Sequence, residues 1–595
     1  MTYQPPVRDH TFLLRDVLEI EKYANLPGFA DASWEVVEQI LDQAGKFTSQ
    51  VLAPLNSVGD KEGCKWSPDF TVKTPTGFKA AYSAMVENGW LGLSSDPKYG
   101  GQGLPRILSL SYSEMSSAAN MAFSMYPGLT HGAGEAIYHG ASDELKDLYL
   151  PKMVPGQWGG TMNLTEPHCG TDLGLLRTKA VPNADGSYAI TGQKIWISGG
   201  EHDLAENIIH LVLARIEGAP EGVKGISLFI VPKFIPDADG NPGERNNAKC
   251  VGLEEKMGIH GNATCVMQYE DAKGWLMGEP NSGLKLMFVM MNEARIGVGL
   301  QGLGQAEAAY QAAVEFAKDR LQGRALTGAK NPDGPADPII VHPDVRRMLL
   351  DSKAFIEGAR AFLFWTALRG DLSNVHPDDA EREKASDYMS LLTPVVKGFL
   401  TDKGFKACID AMQVHGGSGF TEHFPASQYM RDARIAMIYE GTNGIQALDL
   451  IGRKLPAKNG RGIMSFLADL DAFAVENEDD ADLKPFVDAV RSSKEQLQDA
   501  SMWLMQNGLK NPDHAAAASV DFMHLFGFTA LAYMWAIMAK TARGKIAAGD
   551  TDPFYANKLI TGRYYIERLL PDAASHLAKL KTGADTMMSV PVEAF

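Results

Sequence analysis

The chain has few cysteines, no surplus of positive charge and no apolar run long enough to cross a bilayer. Each shortage removes a class of protein. Five cysteines in 595 residues, at positions 64, 169, 250, 265 and 408, are scattered and form no C-x-x-C pair. An odd, dispersed set supplies neither a disulfide framework nor a zinc site, so no metal is expected and the pattern fits a reducing cytoplasm. Lys and Arg number 56 against 73 Asp and Glu, a net charge of −17. Such a chain repels nucleic acid rather than gathering it. The most apolar stretch, "LFGFTALAYMWAIMA" at 525–539, has 15 residues, short of the ~20 that span a bilayer, and reads as a buried helix. The opening "MTYQPPVRDH" has two prolines and an acid where a secretory leader needs basic and then apolar residues. The expectation is a cytoplasmic protein.

What is present is length and a change of texture. A chain of 595 residues exceeds one hydrophobic core and implies several domains. After an N-terminal extension at 1–34, apolar spacing over 35–159 is mainly helical, as in "WEVVEQILDQAGKF". Over 160–280, runs such as "SYAITGQKIWIS", "IIHLVLARI" and "GISLFIVPKF" are short, β-rich and separated by turn residues, which predicts an antiparallel β domain. Helical spacing returns over 281–455, where Leu303, Ala306, Tyr310, Ala313 and Ala317 form one stripe of a long amphipathic helix. "RKLPAKNGRG" at 453–462 reads as a linker to a further helical unit at 463–595. The fold class is α+β, in the order α, β, α and a second α unit. The 59 glycines and 26 methionines lean towards close-packed helices and adaptable pockets.

Five stretches are candidates for chemistry. "GVGLQG" at 297–302 spells G-x-G-x-x-G, but Glu293 and Arg295 interrupt any preceding strand and Asp319 falls within a helical pattern. Small residues that let two helices approach closely account for it better than dinucleotide binding. "LTEPHCGTD" at 164–172 is a turn with Pro167 and Gly170, and its hydroxyls at Thr165 and Thr171 suit a polar planar ring. "QKIWISGG" at 193–200 ends a strand with Trp196 exposed beside Ser198. "QVHGGSGF" at 413–420 offers backbone amides at Gly416 and Gly417 that suit close approach by a phosphate or ribose, while His415 reads as a hydrogen-bonded structural residue. The stretch "IAMIYEGTNGIQ" at 435–446 holds one charge, Glu440, which reads either as a helix-start acid or as a base in dry surroundings.

Taken in order, "LTEPHCGTD", "GQKIWIS", "AKDR" and "QVHGGSGFTEHFPASQYMRDARIAMIYEGT" resemble the acyl-CoA dehydrogenase family over about 35–455. The outer segments resemble a bacterial subgroup that acts on a methylthio-substituted propanoyl-CoA, within a family whose members of the same layout also use ordinary fatty acyl-CoAs. The resemblance implies α,β-dehydrogenation of an acyl-CoA thioester with FAD as hydride acceptor and electron transfer flavoprotein as its reoxidant. It makes Glu440 the base. It places Thr165, Gly170, Thr171, Trp196, Ile197 and Ser198 at the flavin and ribityl chain, with Thr442 also touching FAD. Arg320 and Gln322 meet the pyrophosphate, and Gln413, Gly416 and Gly417 surround the adenosine half from a neighbouring subunit, which implies a homodimer. Arg295, Thr171 and Gly441 meet the substrate. Two positions depart from the family: "LQGRAL" after Arg320 lacks the usual aromatic, and Gly444 stands where relatives carry a polar FAD contact. Some relatives carry the base just before the arginine matching Arg295; here that residue is Ala294, and neighbouring Glu293 points ~100° away around the helix. An acyl-CoA oxidase shares the carbon chemistry, and a DNA-binding flavoprotein of this fold is disfavoured by the acidic "ENEDDADLKPFVDAV" at 476–490.

Overall fold

In the computed structural model, which describes residues 3–595, the β-rich texture becomes one seven-stranded sheet. Its strands are β1 (Trp158–Asn163), β2 (Lys179–Pro182), β3 (Tyr188–Ser198), β4 (Asn207–Ile216), β5 (Ile226–Pro232), β6 (Ala248–Leu253) and β7 (Thr264–Met277). The order is β6-β7-β3-β2-β4-β1, and β5 pairs with both β7 and β4, so five strands close a ring. The expected antiparallel domain needs one correction: β4 pairs in parallel with both β1 and β2. Strand β4 is buried on both faces. Val212 and Ala214 point into the ring's core, while Ile209, Leu211 and Leu213 join a second core shared with preceding helices. A strand covered on both sides reads as a continuous apolar run, which suits parallel neighbours and conceals strand direction.

The helices before the sheet are α1 (Trp34–Phe47), α2 (Ala53–Glu62), α3 (Phe78–Glu87), α4 (Arg106–Ala119), α5 (Met121–Gly140) and α6 (Asp143–Met153), of which α5 and α6 share that core. The last two start where polar caps dictate. Asn120 accepts from the Phe123 amide at 3.1 Å, and Ser142 from that of Leu145 at 3.4 Å. Residues Asp42–Gly297 form one compact unit; Tyr3–Leu41 and Val298–Phe595 form the other.

The second unit is helical. Helix α7 (Gly283–Asp319) runs into it from the first, followed by α8 (Pro343–Val375), α9 (Asp379–His415), α10 (Ala426–Ala433) and α11 (Asn443–Asp449). Beyond them lie α12 (Arg461–Glu476), α13 (Lys484–Gly508), α14 (Pro512–Ala547), α15 (Pro553–Tyr564) and α16 (Asp572–Leu580). The expected stripe on α7 is too narrow, because residues 302–309 are buried on every face. The glycines explain how. A Cβ on Gly299 would lie 2.7 Å from Val396 Cγ1, and one on Gly302 2.9 Å from Thr401 Cα, so α7 and α9 touch backbone to backbone. The 453–462 segment is pinned rather than loose: Lys458 and Arg461 both bind Asp387, at 2.8 and 2.5 Å. Helix α14 is apolar and long enough to cross a membrane by composition, yet 89% of its most apolar window is buried in the protein. A Cβ on its Gly527 would overlap the Phe399 ring of α9.

The N-terminal extension is held to this unit by a buried ionic cluster. Asp9 binds Arg360 at 3.0 Å and Lys558 at 2.7 Å; Arg360 also binds Glu307 at 2.6 Å, and Lys558 binds Glu357 at 2.8 Å. Lys353 completes it on Glu357, so three acids balance three bases. Burial pushes the Asp9 carboxyl up, but the charges of Lys558 and Arg360 outweigh it and hold it well below the usual carboxylate range. A depressed carboxylate adds stability above its unfolded value of about 4 and loses it as pH falls through the lower folded value. Asp9→Asn should therefore lower the thermal midpoint by an amount that is constant above about pH 5 and shrinks towards pH 3. An unchanged midpoint at neutral pH would show that the cluster does not hold the extension.

Candidate active site

In the first unit, the loop after β1 is built around a buried carboxylate. Glu166, 3% exposed, accepts from the Arg177 amide at 2.8 Å, the Thr178 amide at 3.0 Å and the Thr178 hydroxyl at 2.6 Å. Its fourth donor is Lys194 at 2.9 Å, a fully buried ammonium on β3 that also donates to the Leu164 carbonyl at 3.0 Å. Burial pulls Lys194 down to about 8, and the Lys194 charge and the hydrogen bonds keep the Glu166 carboxyl below its ordinary value despite burial. The Thr165 carbonyl accepts from the Ile195 amide at 3.0 Å. The loop is thus fixed to β3, leaving Thr165 half-buried and Gly170 and Thr171 exposed.

On β3 itself, Cys265 pairs with Ile197 but Met267 pairs with Lys194, so β3 carries one extra residue between them. This bulge holds Trp196 at φ 59° with its indole 61% exposed. Bulges re-aim side chains beside functional sites. Ile197 is 2% exposed and packs in the ring's core, so it can offer a ligand only its main chain; Ser198 is half-buried at the strand end. Arg295 on α7 is buried with its guanidinium 5.9 Å from the Phe288 ring. Glu293 is engaged by Arg106 of α4, which removes it as an alternative base.

In the second unit, Phe316 gathers one group of expected residues. Its ring lies 5.0 Å from the Arg320 guanidinium and 4.5 Å from the His415 ring. His415 donates from Nδ1 to the Ala411 carbonyl at 2.7 Å, a structural role as expected. Around it Gln413, Gly416 and Gly417 are exposed, and no atom lies within 4 Å of where a Cβ would sit on either glycine. Gln322 is exposed, with its amide donating to the Asp337 carbonyl at 2.9 Å.

Glu440 belongs to a second group, on a turn gripped from α9. Glu440 and Gly441 are consecutive left-handed residues, φ 58° and 84°, and Glu440 is half-buried. The Gly441 carbonyl accepts from Lys397, a fully buried ammonium on α9, at 2.8 Å. The Gln446 amide donates to the Glu440 and Gly441 carbonyls at 3.2 Å each. In a planar trans peptide the N–H opposes the C=O, so the Gly441 and Thr442 amides face away from Gln446 and Lys397. Helix α11 starts at Asn443 with Thr442 as its cap residue, so Glu440 lies upstream of the cap. Gly444 sits exposed within that helix. Tyr439 donates to Gln301 of α7, and burial raises its hydroxyl far above the usual range. Glu166, Lys194, Lys397 and Gln446 escaped sequence reasoning. Their signal was there: Lys397 is the one charge in "LLTPVVKGF", and Lys194 falls at an inward position of β3.

The chain belongs to the acyl-CoA dehydrogenase family. The family's N-terminal, middle and C-terminal domains match residues 35–157, 161–272 and 281–455, and the "Acetyl-CoA dehydrogenase C-terminal like" family matches 466–591. The 3-methylmercaptopropionyl-CoA dehydrogenase of Ruegeria pomeroyi is 39% identical over 590 residues, 99% of this chain and 100% of the relative. A butyryl-CoA dehydrogenase of Syntrophomonas wolfei is 35% identical over 612 residues, 100% of this chain and 99% of the relative. An acyl-CoA dehydrogenase of Bacillus anthracis, solved in complex with FAD, shares the fold with TM-score 0.75 at 22% identity, over 94% of this chain and 90% of that one. The family is one of FAD-binding oxidoreductases. The residues present fit that cofactor: the first unit offers an outward indole at Trp196 with Ser198 two residues on, and the second offers open backbone at Gly416 and Gly417 next to His415, whose ring, like the Arg320 guanidinium, lies against Phe316.

Glu166→Gln leaves Lys194 buried with no anion, a change that costs ~3–5 kcal/mol in comparable pairs. If only ~1.4 kcal/mol of this reaches the loop, FAD retention should weaken about tenfold. Wild-type FAD affinity in the purified variant would show that the pair does not order the loop.

Proposed function

We propose that the chain removes two hydrogens across the Cα–Cβ bond of an acyl-CoA thioester, with Glu440 taking the Cα proton. The observation that carries this reading is the turn: a glutamate in the left-handed region, its carbonyl and that of Gly441 drawn inward onto buried Gln446 and Lys397. That conformation costs ~1–3 kcal/mol, and it persists only where surrounding bonds over-determine it. Apolar Ile435, Met437 and Ile438 lie just before it, and an acyl chain laid against them would dry the carboxylate further and favour its taking a proton. The Glu440 amide polarises the thioester carbonyl as negative charge develops on its oxygen. Bound FAD supplies the hydride acceptor that no side chain offers. Thr165, Gly170, Thr171, Trp196, Ile197, Ser198 and Thr442 hold the flavin half, and Arg295, Thr171 and Gly441 meet the thioester.

Arg320, Gln322, Gln413, Gly416 and Gly417 are assigned to the remainder of an FAD held with a second copy of the chain. In support, Gln413 lies sixteen residues along α9 from Lys397, about 24 Å at helical rise. The enzyme is thus a homodimer, with electron transfer flavoprotein as its oxidant. Light scattering should give twice the chain mass, and a monomer that retains FAD would contradict the shared site.

The proposed substrate is 3-methylmercaptopropionyl-CoA, giving methylthioacryloyl-CoA, on the strength of 39% identity to such an enzyme along the whole chain. Butyryl-CoA is the second reading, supported by 35% identity over the same span. Both are thioesters of short unbranched acids. Under anaerobic conditions the sulfur thioester should bleach the flavin band faster than butyryl-CoA; the reverse order selects the second reading. Glu440→Gln should keep FAD and acyl-CoA binding yet bleach slower than the wild type by more than the ~10²–10⁴ of a positioned base, since Ala294 offers no substitute. Bleaching above about a tenth of the wild-type rate would return Glu440 to a structural role.

A further inference from the structure

The turn that presents Glu440 is tied to the added C-terminal helices by a continuous chain of hydrogen bonds. Lys397 donates to the Gly441 carbonyl and to Asn443 Oδ1, both at 2.8 Å. The Asn443 amide donates to Asp402 Oδ1 at 2.6 Å and to the Thr401 hydroxyl at 2.9 Å. Asp402 Oδ2 accepts from His524 Nε2 at 2.8 Å. His524 sits on α14, inside the region matched by the extra C-terminal family. Its ring is held edge-on to Phe399 at 5.6 Å and stacked on His576 at 5.0 Å, and His576 is fixed in turn by Asp521 at 2.7 Å. The helix cannot shift to release it, because Gly527, three residues on, abuts the Phe399 ring.

We infer that His524 is a positioning residue for Glu440, acting through Asp402 and Asn443, an inference that rests on the reading of Glu440 as the base. The polarity of the chain is set at both ends. A buried ammonium at Lys397 forces the oxygen of the Asn443 side chain towards it, which turns the Asn443 amide onto Asp402. The remaining lone pairs of Asp402 then demand a second donor, and His524 supplies it with its Nε2–H. Burial pulls His524 below its ordinary value, with Asp402 opposing, so the imidazole is neutral and Nε2 carries its proton. Without that donor, Asp402 is free to swing towards water or other donors, and Asn443 loses the shortest of its amide bonds, leaving the Thr401 hydroxyl and the Gly398 carbonyl at 3.1 Å as its remaining acceptors. Asn443 is the first residue of α11, two beyond Gly441, so its release loosens the strained turn next to the carboxylate. Small displacements of a reacting group are expensive: ~1 Å can cost about 10²-fold in rate.

The test is anaerobic reduction of the FAD-loaded full-length protein by saturating 3-methylmercaptopropionyl-CoA or butyryl-CoA, whichever reduces the wild type faster. His524→Phe keeps the ring and removes the donor; it should slow flavin reduction about tenfold while KM and FAD content stay unchanged. His524→Gln, whose amide reaches the same point as Nε2, should restore most of the rate. Asp402→Asn should be slowed like His524→Phe, and the double variant no further. A wild-type rate in His524→Phe overturns the inference, as does equal slowing of the Phe and Gln variants, which marks a packing role. If His524→Phe fails to fold, Asp402→Asn alone decides, with a wild-type rate overturning it. Glu440→Gln runs beside them. If it reduces at the wild-type rate, the base assignment itself has failed; if it is silent while His524→Phe is fast, only the role of His524 has.

Discussion

A buried ammonium is the constraint on which the Glu440 turn rests. Lys397 has no water to solvate it, so every proton it carries must find a protein acceptor. Two of these acceptors, the Gly441 carbonyl and Asn443 Oδ1, belong to the turn that carries Glu440. The turn must stay where it is, left-handed conformation included, or leave a charge uncompensated in the interior. Removing one partner of a buried ion typically costs several kcal/mol, more than the ~1–3 kcal/mol stored in a strained residue. The cost of an unpaired charge exceeds the strain, so the strain is retained.

The same device appears in the first unit. Lys194 and Glu166 are both buried, and the four donors on Glu166 immobilise a loop that would otherwise be an exposed connection. Trp196 then projects from the bulge next to Lys194, its own left-handed φ held between a fixed strand and a fixed loop. In both units a non-glycine residue in a left-handed conformation stands within a few residues of a buried lysine bond. Strain and buried charge are two sides of one arrangement: the first aims a side chain, and the second prevents relaxation.

Local texture made much of this legible. The β-rich runs became strands, the 525–539 run became the centre of a buried helix, and "GVGLQG" proved to be a close helix contact through Gly299 and Gly302 rather than a nucleotide loop. What failed to show was anything that depends on a distant partner. The apolar run of β4 carries no mark of direction, so its parallel pairings were missed. The positive φ of Glu440 depends on a bond between residues 44 positions apart, Lys397 and Gly441, and that of Trp196 on the pairing of its strand with Cys265 and Met267. The joining of the N-terminal extension to the last helices rests on Asp9 and Lys558, 549 positions apart. Single charges in apolar runs were the available signal, and they mark buried pairs more reliably than they mark solvent.

The C-terminal helices follow the same logic and are better understood as a wall of the helix that grips the Glu440 turn than as an appendage. Helix α9 has α7 against Val396 and Thr401 on one side and α14 against Phe399 on another, with glycine on the partner helix at each contact. Those contacts bracket Lys397 in sequence, so the residue that grips the Glu440 turn sits in the most tightly enclosed part of α9. Interiors packed this closely transmit displacement instead of absorbing it. A shift of α14 cannot be taken up by side-chain slack at Gly527, and it must move Phe399, the two residues that flank it on α9, or the turn beyond. The helical unit matched at 466–591 therefore bears on the geometry of Glu440 through packing as well as through His524, although none of its residues need touch a thioester.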